Sequence, residues 1–550
     1  MAGHGSKPLR GLESTGQSSI HTGKFGRMFR WLAPCITANG AKGTEQVEQM
    51  LIDLANLMVT DEFNNNVDHP PPEKKKKPSP DADITESEPA DENPTIPAGY
   101  TYLGQFIDHD ITFDPASSLQ QQNDPDALED FRTPRLDLDC IYGRGPADQP
   151  YLYAKADRAK FVLGADRGID GMNRPDLHRT ADGTAILGDK RNDENKIVAQ
   201  IQALFLKFHN KIYDQLAAQF EAGKESERFD EAQRIVRWCY QWIVLHDFLP
   251  KICAPTVVSD ILPGSRQRRP NFQFYAPHEG DAYIPVEFSV AAYRFGHSMV
   301  RPSYSLNKIA FSTAKFTSKG GVTTDFKRIP IFVARATKST DAMNGFGELS
   351  PQLPPNWGID WRFFFGKLGT AKEGALQIPQ PSYRIDAFLV DPLGALPEFA
   401  AKPGGLTPFA SLAFRNLMRG VSMGLPSGQS VARMMNVATV LSEEQLWMKR
   451  NEGEKIEKWD DGKVFYNKNK HFLEGRAPLW YYILKEAEIL HHGHHLGEVG
   501  SRIVAETLIG LVWYDHYSYL FQMPQWTPKD EKIKGLTEKL DMVQLTEFVE

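Results

Sequence analysis

The sequence predicts a mainly α-helical fold built as one large domain. Apolar residues recur every three or four positions in the stretches 45–58, 197–212, 231–248 and 503–514, which is the spacing of helices that bury one face. Beyond about residue 95 we find neither an internal repeat nor a linker. Hydrophobic residues make up 41% of the 550 residues, with 32 Phe and 10 Trp, so the chain can form a sizeable core.

Composition argues against several classes of protein. A net charge of -7 is small for this length, and nothing indicates nucleic acid as a partner. The four cysteines lie far apart and form no CxxC pattern, which is too sparse for a disulfide framework and favours a reducing, cytoplasmic compartment. Because the first residues lack an apolar signal segment and no run of 18 apolar residues occurs, we expect neither a signal peptide nor a membrane span.

The amino-terminal part predicts three segments ahead of the main domain. Residues 1–24 are polar and rich in Gly and Ser, which predicts a flexible arm. Residues 25–60 combine an aromatic, basic patch with a helical stretch, and we expect them to pack on the core. Residues 61–94 are rich in Pro, Lys, Asp and Glu, and we expect a disordered loop because this composition buries little apolar surface. The main domain is then expected over residues 95–550.

The stretch Gly104–Asp110 carries the first group of polar side chains. Its apolar spacing predicts a helix, on which Gln105, Asp108 and His109 stand at i, i+3 and i+4 and share one face. Asp110 points elsewhere, so one short helix can serve two sites. This stretch alone leaves open a structural role or simple metal binding.

Oxygen-bearing side chains recur in the next motif. Thr133, Asp137 and Asp139 stand at even spacing, with the Arg135 carbonyl between them. Together with Asp110 they form a ligand set that suits a hard cation such as calcium. The alternative is an exposed polar strand or turn.

Two further stretches place polar groups where a cavity can form. Arg191 and Glu194 stand three apart at the start of a long predicted helix, so they can face one cavity, although a surface salt bridge is the usual explanation. His297 lies on the apolar stripe of a helix predicted over residues 287–300, and Gly296 leaves room for a flat cofactor beside it. The alternative is a histidine that is part of the core.

The stretch Leu412–Gly420 supplies an amide and two guanidiniums. Asn416 can hold the second nitrogen of a ligating histidine, and Arg415 and Arg419 can pair with the carboxylates of a ligand.

Two other histidine positions are not expected to bind metal. His209 is interpreted as a buried, hydrogen-bonded histidine. The histidines of His491–His495 include an i, i+4 pair, but Gly493 interrupts them and no acid or thiol completes a zinc site. We interpret them as an adventitious surface cluster.

Taken together, these motifs resemble the animal-type haem peroxidases, and the signal-free chain with few cysteines resembles the bacterial branch of that family. The resemblance covers roughly residues 95–430 and implies a mainly α fold with haem b buried in a central helix bundle, in agreement with the helical periodicities. The motifs that carry it stand in the family's order: Gly104–Pro115, Thr133–Asp139, Gly188–Glu194, Arg294–His297 and Arg415–Arg419.

The resemblance also implies a role for each site residue. On the distal side of the haem, His109 would be the acid-base residue, with Gln105 and Arg191 beside it. On the proximal side, His297 would bind the iron, with Asn416 as its hydrogen-bond partner. Arg294 and Arg419 would pair with the propionates, and Asp108 and Glu194 stand where mammalian members form ester bonds to haem. The implied calcium ligands are Asp110, Thr133, Arg135 (by its carbonyl), Asp137 and Asp139.

The implied activity is the reduction of hydrogen peroxide through a ferryl intermediate. Expected donors are iodide, bromide, thiocyanate or phenols. We do not expect chloride oxidation, because Asn195 stands where the most strongly oxidising mammalian member has a haem-bonded methionine. The oligomeric state is not predicted.

Three alternative functions remain. A fatty-acid oxygenase of the same superfamily would need a tyrosine three residues before the proximal histidine, where this chain has Arg294, with Tyr293 one step away. A haem-binding protein without peroxide turnover would need neither His109 nor Arg191. A non-haem metal hydrolase would leave His297 without a role.

Overall fold

The computed structural model describes residues 25–37, 40–59, 91–112, 133–263, 269–277, 281–310, 315–317, 323–325, 328–333, 340–344, 352–373, 376–397 and 408–550. The predicted flexible arm and most of the predicted disordered loop lie outside these residues. The loop prediction extends too far, because a strand begins at Glu92 and pairs with Pro381–Tyr383. Local composition cannot reveal a strand whose partner lies so far along the chain.

Helices dominate the structure, which confirms the predicted mainly α fold. In chain order they are α1 (Gly40–Met58), α2 (Gly99–Ile111), α3 (Asp139–Tyr142), α4 (Lys196–Gln215), α5 (Glu225–Ile243), α6 (Leu249–Ile252), α7 (Pro255–Ile261), α8 (Val286–Val290), α9 (Leu412–Ser422), α10 (Gly428–Met435), α11 (Glu443–Trp447), α12 (Asp460–Leu473), α13 (Leu479–His491), α14 (Glu498–Trp513), α15 (Tyr519–Gln522) and α16 (Met542–Val549). Two 3₁₀ turns, Lys190–Asp193 and Ala292–His297, carry candidate site residues.

The strands in the described ranges form two-stranded pairs. They are β1 (Phe25–Gly26), β2 (Glu92–Pro97), β3 (Ile284–Pro285), β4 (Ser303–Tyr304), β5 (Lys315–Thr317), β6 (Thr323–Asp325), β7 (Ile329–Pro330), β8 (Ala371–Glu373), β9 (Leu376–Ile378), β10 (Pro381–Tyr383), β11 (Lys449–Glu452) and β12 (Lys455–Lys458). β1 and β3 are parallel, and the pairs β2–β10, β4–β7, β5–β6, β8–β9 and β11–β12 are antiparallel.

Helix α2 is held in place by its apolar face. Leu103, Phe106 and Ile107 are fully buried, and the Phe106 ring stacks on Phe205 of α4 with 5.0 Å between ring centroids. Each buried side chain of this size stabilises the fold by about 2 kcal/mol. This packing fixes the rotation of α2, and its polar residues meet the turn that precedes α4.

The remaining core helices follow the predicted periodicities. α4 packs against both α2 and α5, and α14 packs against α7 and α13. All residues from Val499 to Val512 of α14 are buried, so this helix lies inside the protein. No helix among the described ranges has both the length and the apolar character needed to cross a membrane.

The segment before α1 docks on the main body. Phe25, Met28 and Phe29 are buried, and the backbone N–H groups of Met28 and Phe29 each donate to the Glu287 carboxylate at 3.0 Å. Hydrogen bonds from two backbone N–H groups to one buried carboxylate hold the Met28–Phe29 backbone against Glu287. The segment therefore contacts α8, just ahead of the turn that carries His297.

The helix predicted over residues 287–300 is not continuous. α8 ends at Val290, Ala291 has φ -128° and ψ -72°, and Ala292–His297 forms a 3₁₀ turn. A 3₁₀ turn has three residues per turn, so side chains at i and i+3 are eclipsed. Arg294 and His297 consequently project on the same side.

Candidate functional site

His109 and Gln105 of α2 converge on the segment that precedes α4, as the sequence predicts. His109 is 4% exposed. Its Nδ1 lies 2.7 Å from Asn192 Oδ1, and its Nε2 lies 3.9 Å from Glu194 Oε2. Gln105 Nε2 donates to the same Glu194 oxygen at 2.8 Å. The structure thus assembles an imidazole, an amide and a carboxylate from two distant parts of the chain.

Arg191 lies against the backbone of His109. Its Nη2 donates to the His109 carbonyl at 3.0 Å and also to the Thr112 carbonyl. The Asp189 carboxylate accepts from Arg191 Nε at 3.1 Å and from Nη2 at 2.8 Å. Burial lowers the pKa of the Arg191 guanidinium, but the hydrogen bonds and charge of Asp189 have the larger opposite effect, so the pKa is raised overall. The positive charge is therefore fixed beside the histidine.

We call Gln105, His109, Arg191 and Glu194 the distal cluster. Asp108 of α2 connects this cluster with the turn that carries His297. Burial raises the pKa of the Asp108 carboxyl, while the charges of Arg191 and Arg294 oppose the increase. Thr112 Oγ1 also donates to Asp108 Oδ1 at 3.2 Å. Arginines from both sides act on this one carboxyl, and α2 packs against the turn Ala292–His297, so the distal cluster and the His297 turn are neighbours.

His297 and Asn416 lie together, as the resemblance implies, and the amide nitrogen of Asn416 faces the ring. Asn416 Nδ2 lies 2.7 Å from His297 Nδ1, and Arg294 Nη1 donates to Asn416 Oδ1 at 2.7 Å. A guanidinium can only donate, so the amide oxygen faces Arg294 and the amide nitrogen faces the imidazole. Burial lowers the pKa of His297 to about 3, and Arg294 and Arg415 add to this effect. The imidazole is therefore neutral.

We call His297, Asn416 and the arginines Arg294, Arg415 and Arg419 the proximal cluster. This cluster is rich in guanidiniums. Burial lowers the pKa of Arg294 to about 10, Asp108 opposes this change, and Arg419 and Arg415 favour it. Three arginines close enough to influence one another favour an anionic ligand, because carboxylates pair with guanidiniums.

The residues of the proximal cluster also fit a haem group chemically and sterically. A Cβ added at Gly296 would have no atom within 4 Å, so open space adjoins the residue next to His297. A neutral imidazole is a common axial ligand of haem iron. To offer its Nε2 lone pair to iron, His297 must carry its proton on Nδ1, so the Asn416 amide would have to turn its oxygen toward the ring. The guanidiniums of Arg294 and Arg419 suit the carboxylates of such a group. The donor set therefore fits the expected cofactor.

Asp110 lies with Asp137 and Asp139, with ligand oxygens all within 4.8 Å of one another. Asp110 is fully buried, its Oδ2 accepts from the Leu138 N–H at 3.2 Å, and its Oδ1 has no hydrogen-bond partner among the described residues. Burial, and then the charges of Asp137 and Asp139, raise the pKa of Asp110 well above its usual range. An unpartnered carboxylate oxygen facing two other carboxylates suits a hard cation.

The other predicted calcium ligands lie in the same loop. Thr133 Oγ1 donates to Asp137 Oδ2 at 2.7 Å, and the Arg135 N–H donates to the Thr133 carbonyl at 2.8 Å. The Arg135 side chain turns away, with Nε 3.8 Å from Asp515 Oδ1. The loop therefore offers Thr133 and the Arg135 backbone beside the carboxylates.

Three site residues were missed by the sequence analysis as partners of the distal cluster: Asp189, Asn192 and Asn195. Asn195 Oδ1 accepts from the N–H groups of residues 197 and 198 at 3.0 and 2.9 Å, and its Nδ2 donates to Gln105 Oε1 at 3.1 Å. Asparagine before a helical stretch is a recognisable N-cap signal, and it could have identified the position of Asn195. Asp189 carries the same signal, because its Oδ1 accepts from the Arg191 N–H at 2.9 Å and caps the turn Lys190–Asp193. No comparable signal marks Asn192.

His209 has the surroundings of a core histidine, whereas the histidines of His491–His495 are half-buried. His209 is fully buried, Nδ1 accepts from the Tyr142 hydroxyl at 3.0 Å and Nε2–H donates to the Ala159 carbonyl at 2.9 Å, which confirms a hydrogen-bonded core histidine. The His491 and His495 rings lie 4.5 Å apart. Within the described ranges, the only group of three or more ligating residues is the aspartate cluster.

Comparison with known proteins points to one family. Residues 125–331 match the family model described as animal haem peroxidase. The chain is 29% identical over 189 residues to thyroid peroxidase of Mus musculus, a match that covers 30% of this chain and 19% of that protein. The chain therefore spans about a fifth of the length of this curated relative.

Solved structures share the fold across most of the chain. Peroxidase A from Dictyostelium discoideum superposes with a TM-score of 0.55 at 14% identity, covering 98% of this chain and 97% of that one. The fatty acid alpha-dioxygenase of Oryza sativa gives 0.52 at 14% identity, covering 84% and 73%. The chain therefore shares this mainly α fold with both solved structures, and its segment 125–331 is similar to the animal haem peroxidases.

Proposed function

We propose that the protein is a haem-dependent peroxidase that reduces hydrogen peroxide and oxidises small donors such as iodide, bromide, thiocyanate or phenols. Haem b would be its cofactor, held through His297 at the iron and through Arg294 and Arg419 at the carboxylates, and it would supply the redox chemistry. The observation that supports this proposal is that Asp108, which directly precedes His109 in α2, is influenced by Arg191 on one side and by Arg294 of the His297 turn on the other.

His109 would move the proton. Cleavage of hydrogen peroxide requires a proton to pass from one oxygen to the other, and a neutral imidazole can accept it and then return it. The Nε2 atom of His109 faces the side where Glu194 and Gln105 meet. These two residues would orient the peroxide by hydrogen bonds.

Arg191 would supply fixed positive charge. Negative charge develops on the departing oxygen, and a guanidinium that is already positioned stabilises that charge without reorganisation. Asp189 holds the guanidinium in place.

The Asp108 and Glu194 carboxyls are proposed as positions of ester links to the haem. Such links would make the pigment resist acid-acetone extraction, and Asp108→Asn and Glu194→Gln should each make it more extractable.

Calcium is proposed as a structural ion held by Asp110, Asp137, Asp139, Thr133 and the Arg135 carbonyl. Asp110 follows His109 directly, so an ion at this position would brace the distal histidine through the backbone of α2.

Assignment to the bacterial branch, a domain over residues 95–550 and a cytoplasmic location are also proposals. The bacterial branch and the cytoplasmic location are supported by the four cysteines Cys35, Cys140, Cys239 and Cys253, which are buried and form no disulfide. Free thiols persist in a reducing compartment.

One observation supports an alternative, a fatty-acid oxygenase. The buried Tyr293 hydroxyl has no hydrogen-bond partner among the described residues, and burial together with Asp108 raises the pKa of this tyrosine well above its usual range. It lies in the same 3₁₀ turn as His297. Oxygen uptake with a long-chain fatty acid that disappears in Tyr293→Phe would favour this alternative.

The test is the visible absorption spectrum before and after one equivalent of hydrogen peroxide. A Soret band that shifts with peroxide is the expected result. His109→Ala should keep the band and slow the shift by roughly 100-fold or more, and His297→Ala should lose or loosen the pigment. His471→Ala, which changes an exposed histidine, is the control. A Soret band that peroxide leaves unmoved in the wild-type protein would contradict the proposal.

A further inference from the structure

Asn192 is a buried polar residue placed directly behind His109. It is fully buried in the 3₁₀ turn Lys190–Asp193. Its Oδ1 lies 2.7 Å from His109 Nδ1, and its Nδ2 donates to Gln202 Oε1 at 2.8 Å. Gln202 is 1% exposed and belongs to α4. The three side chains form a hydrogen-bonded row from α2 through the turn to α4.

The direction of this row determines where the imidazole proton lies. Gln202 Oε1 accepts from the Asn192 amide nitrogen, which turns the amide oxygen of Asn192 toward His109. An amide oxygen can only accept, so the hydrogen in the 2.7 Å contact belongs to His109 Nδ1. A neutral imidazole with its proton on Nδ1 carries its lone pair on Nε2.

The turn that carries Asn192 is fixed on both sides. Ahead of it, Asp189 pairs with Arg191 at 2.8 Å and the Asp189 carbonyl accepts from the Asn192 N–H at 3.0 Å. After it, Asp193 pairs with the buried Arg179, whose Nη1 and Nη2 donate at 2.7 and 2.8 Å. Neighbours held by ion pairs leave the Asn192 side chain little freedom to move away from the histidine.

We propose that Asn192, oriented by Gln202, is a positioning residue that locks His109 in the Nδ1–H tautomer. In this state Nε2, which lies 3.9 Å from Glu194 Oε2, carries the lone pair and can accept a proton. Its catalytic meaning rests on the proposed peroxidase function, in which this nitrogen takes the proton from peroxide. Without the lock, the Nε2–H tautomer competes, and that form cannot act as a base at this atom.

The tautomer can be measured directly by ¹⁵N NMR on the full-length protein with labelled histidine, reduced under carbon monoxide so that any bound haem is diamagnetic. Signals of His109 are assigned by their loss in His109→Gln. We expect wild-type His109 to be protonated on Nδ1. A wild-type His109 protonated on Nε2 would overturn the proposal.

Two variants separate positioning from a general structural effect. Asn192→Leu fills similar space but removes the acceptor, so His109 should shift toward the Nε2–H tautomer. Asn192→Asp keeps an acceptor in place and should retain the Nδ1–H tautomer. Gln200→Leu is the control. Gln200 is a buried glutamine of α4, like Gln202, but it donates to the Pro175 carbonyl at 2.7 Å, so this variant should leave the His109 tautomer unchanged. An unchanged tautomer in Asn192→Leu would contradict the lock.

Gln202→Leu provides a second variant should Asn192→Leu fail to fold. Loss of the Gln202 oxygen lets the Asn192 amide rotate, and we expect a mixture of both tautomers. A pure Nδ1–H signal in Gln202→Leu would refute the orienting role of Gln202.

Kinetics distinguish failure of the lock from failure of the proposed function. Asn192→Leu should slow the reaction with peroxide roughly 10- to 100-fold, with Asn192→Asp closer to wild type. A protein without peroxide turnover but with Nδ1–H His109 would retain the lock and refute the peroxidase function. Normal turnover with an unlocked His109 would refute the lock alone.

Discussion

The carboxylate cluster of Asp110, Asp137 and Asp139 predicts that calcium controls the stability of the protein. Two unit charges 4.8 Å apart, the largest separation of these ligand oxygens, repel by about 3.5 kcal/mol at an effective dielectric constant of about 20. Together with burial, this repulsion raises the pKa of Asp110, so without a cation the carboxyl is held in an unfavourable ionised state or must take up a proton. A divalent cation between them replaces this repulsion with attraction.

The perturbation is Asp110→Asn, which removes one charge and preserves the shape of the side chain. In excess calcium the wild type should be the more stable protein, since calcium at about 1,000 times its dissociation constant stabilises the folded state by about 4 kcal/mol. In chelator the order should reverse, because the variant is relieved of the repulsion from two neighbours. We expect the variant to bind calcium at least about tenfold more weakly.

The assay is thermal unfolding of both proteins in calcium and in chelator, with calcium affinity measured by titration calorimetry. Asp360→Asn is the control, because Asp360 is buried but caps the distant turn Trp361–Phe363. It should lose stability equally in both conditions. Equal melting temperatures of the wild type in calcium and chelator would refute the reasoning, as would a wild-type calcium response in Asp110→Asn.

Three further predictions concern other parts of the structure. Asp189→Asn should release Arg191 and slow the reaction with peroxide roughly tenfold in stopped-flow measurements; an unchanged rate would show that the ion pair does not matter. Burial lowers the pKa of His209 from 6.5 to about 4. Between these pH values the histidine is protonated in the unfolded chain but neutral in the folded protein. Urea unfolding should show stability falling by roughly 3 kcal/mol as the pH drops from 6.5 toward 4, and His209→Gln should flatten this dependence; an equally steep dependence in the variant would contradict it. Glu287→Gln should leave one backbone donor at Met28 or Phe29 unpaired, cost roughly 1–3 kcal/mol and speed their hydrogen exchange, and unchanged protection there would count against the anchoring role.

Much of the site could be predicted from the sequence because its information is local. Gln105 and His109 are one helical turn apart, and the apolar residues between them identify the buried face, so their common direction follows from helical spacing alone. The same reasoning identified α4 and a buried His209. Asp137 and Asp139 likewise stand two apart in one loop, where carboxylates converge without help from the fold.

Only the tertiary structure decided how these local pieces meet. Asn192 lies 83 residues from His109 in sequence, and nothing in its neighbours marks it as the partner of an imidazole. Similarly, the break at Ala291 and the competition of Arg294 for the Asn416 oxygen depend on contacts between distant segments. Periodicity encodes which face of a helix is buried, whereas hydrogen-bond partners across the core depend on how whole helices pack, and a single sequence does not carry that information locally.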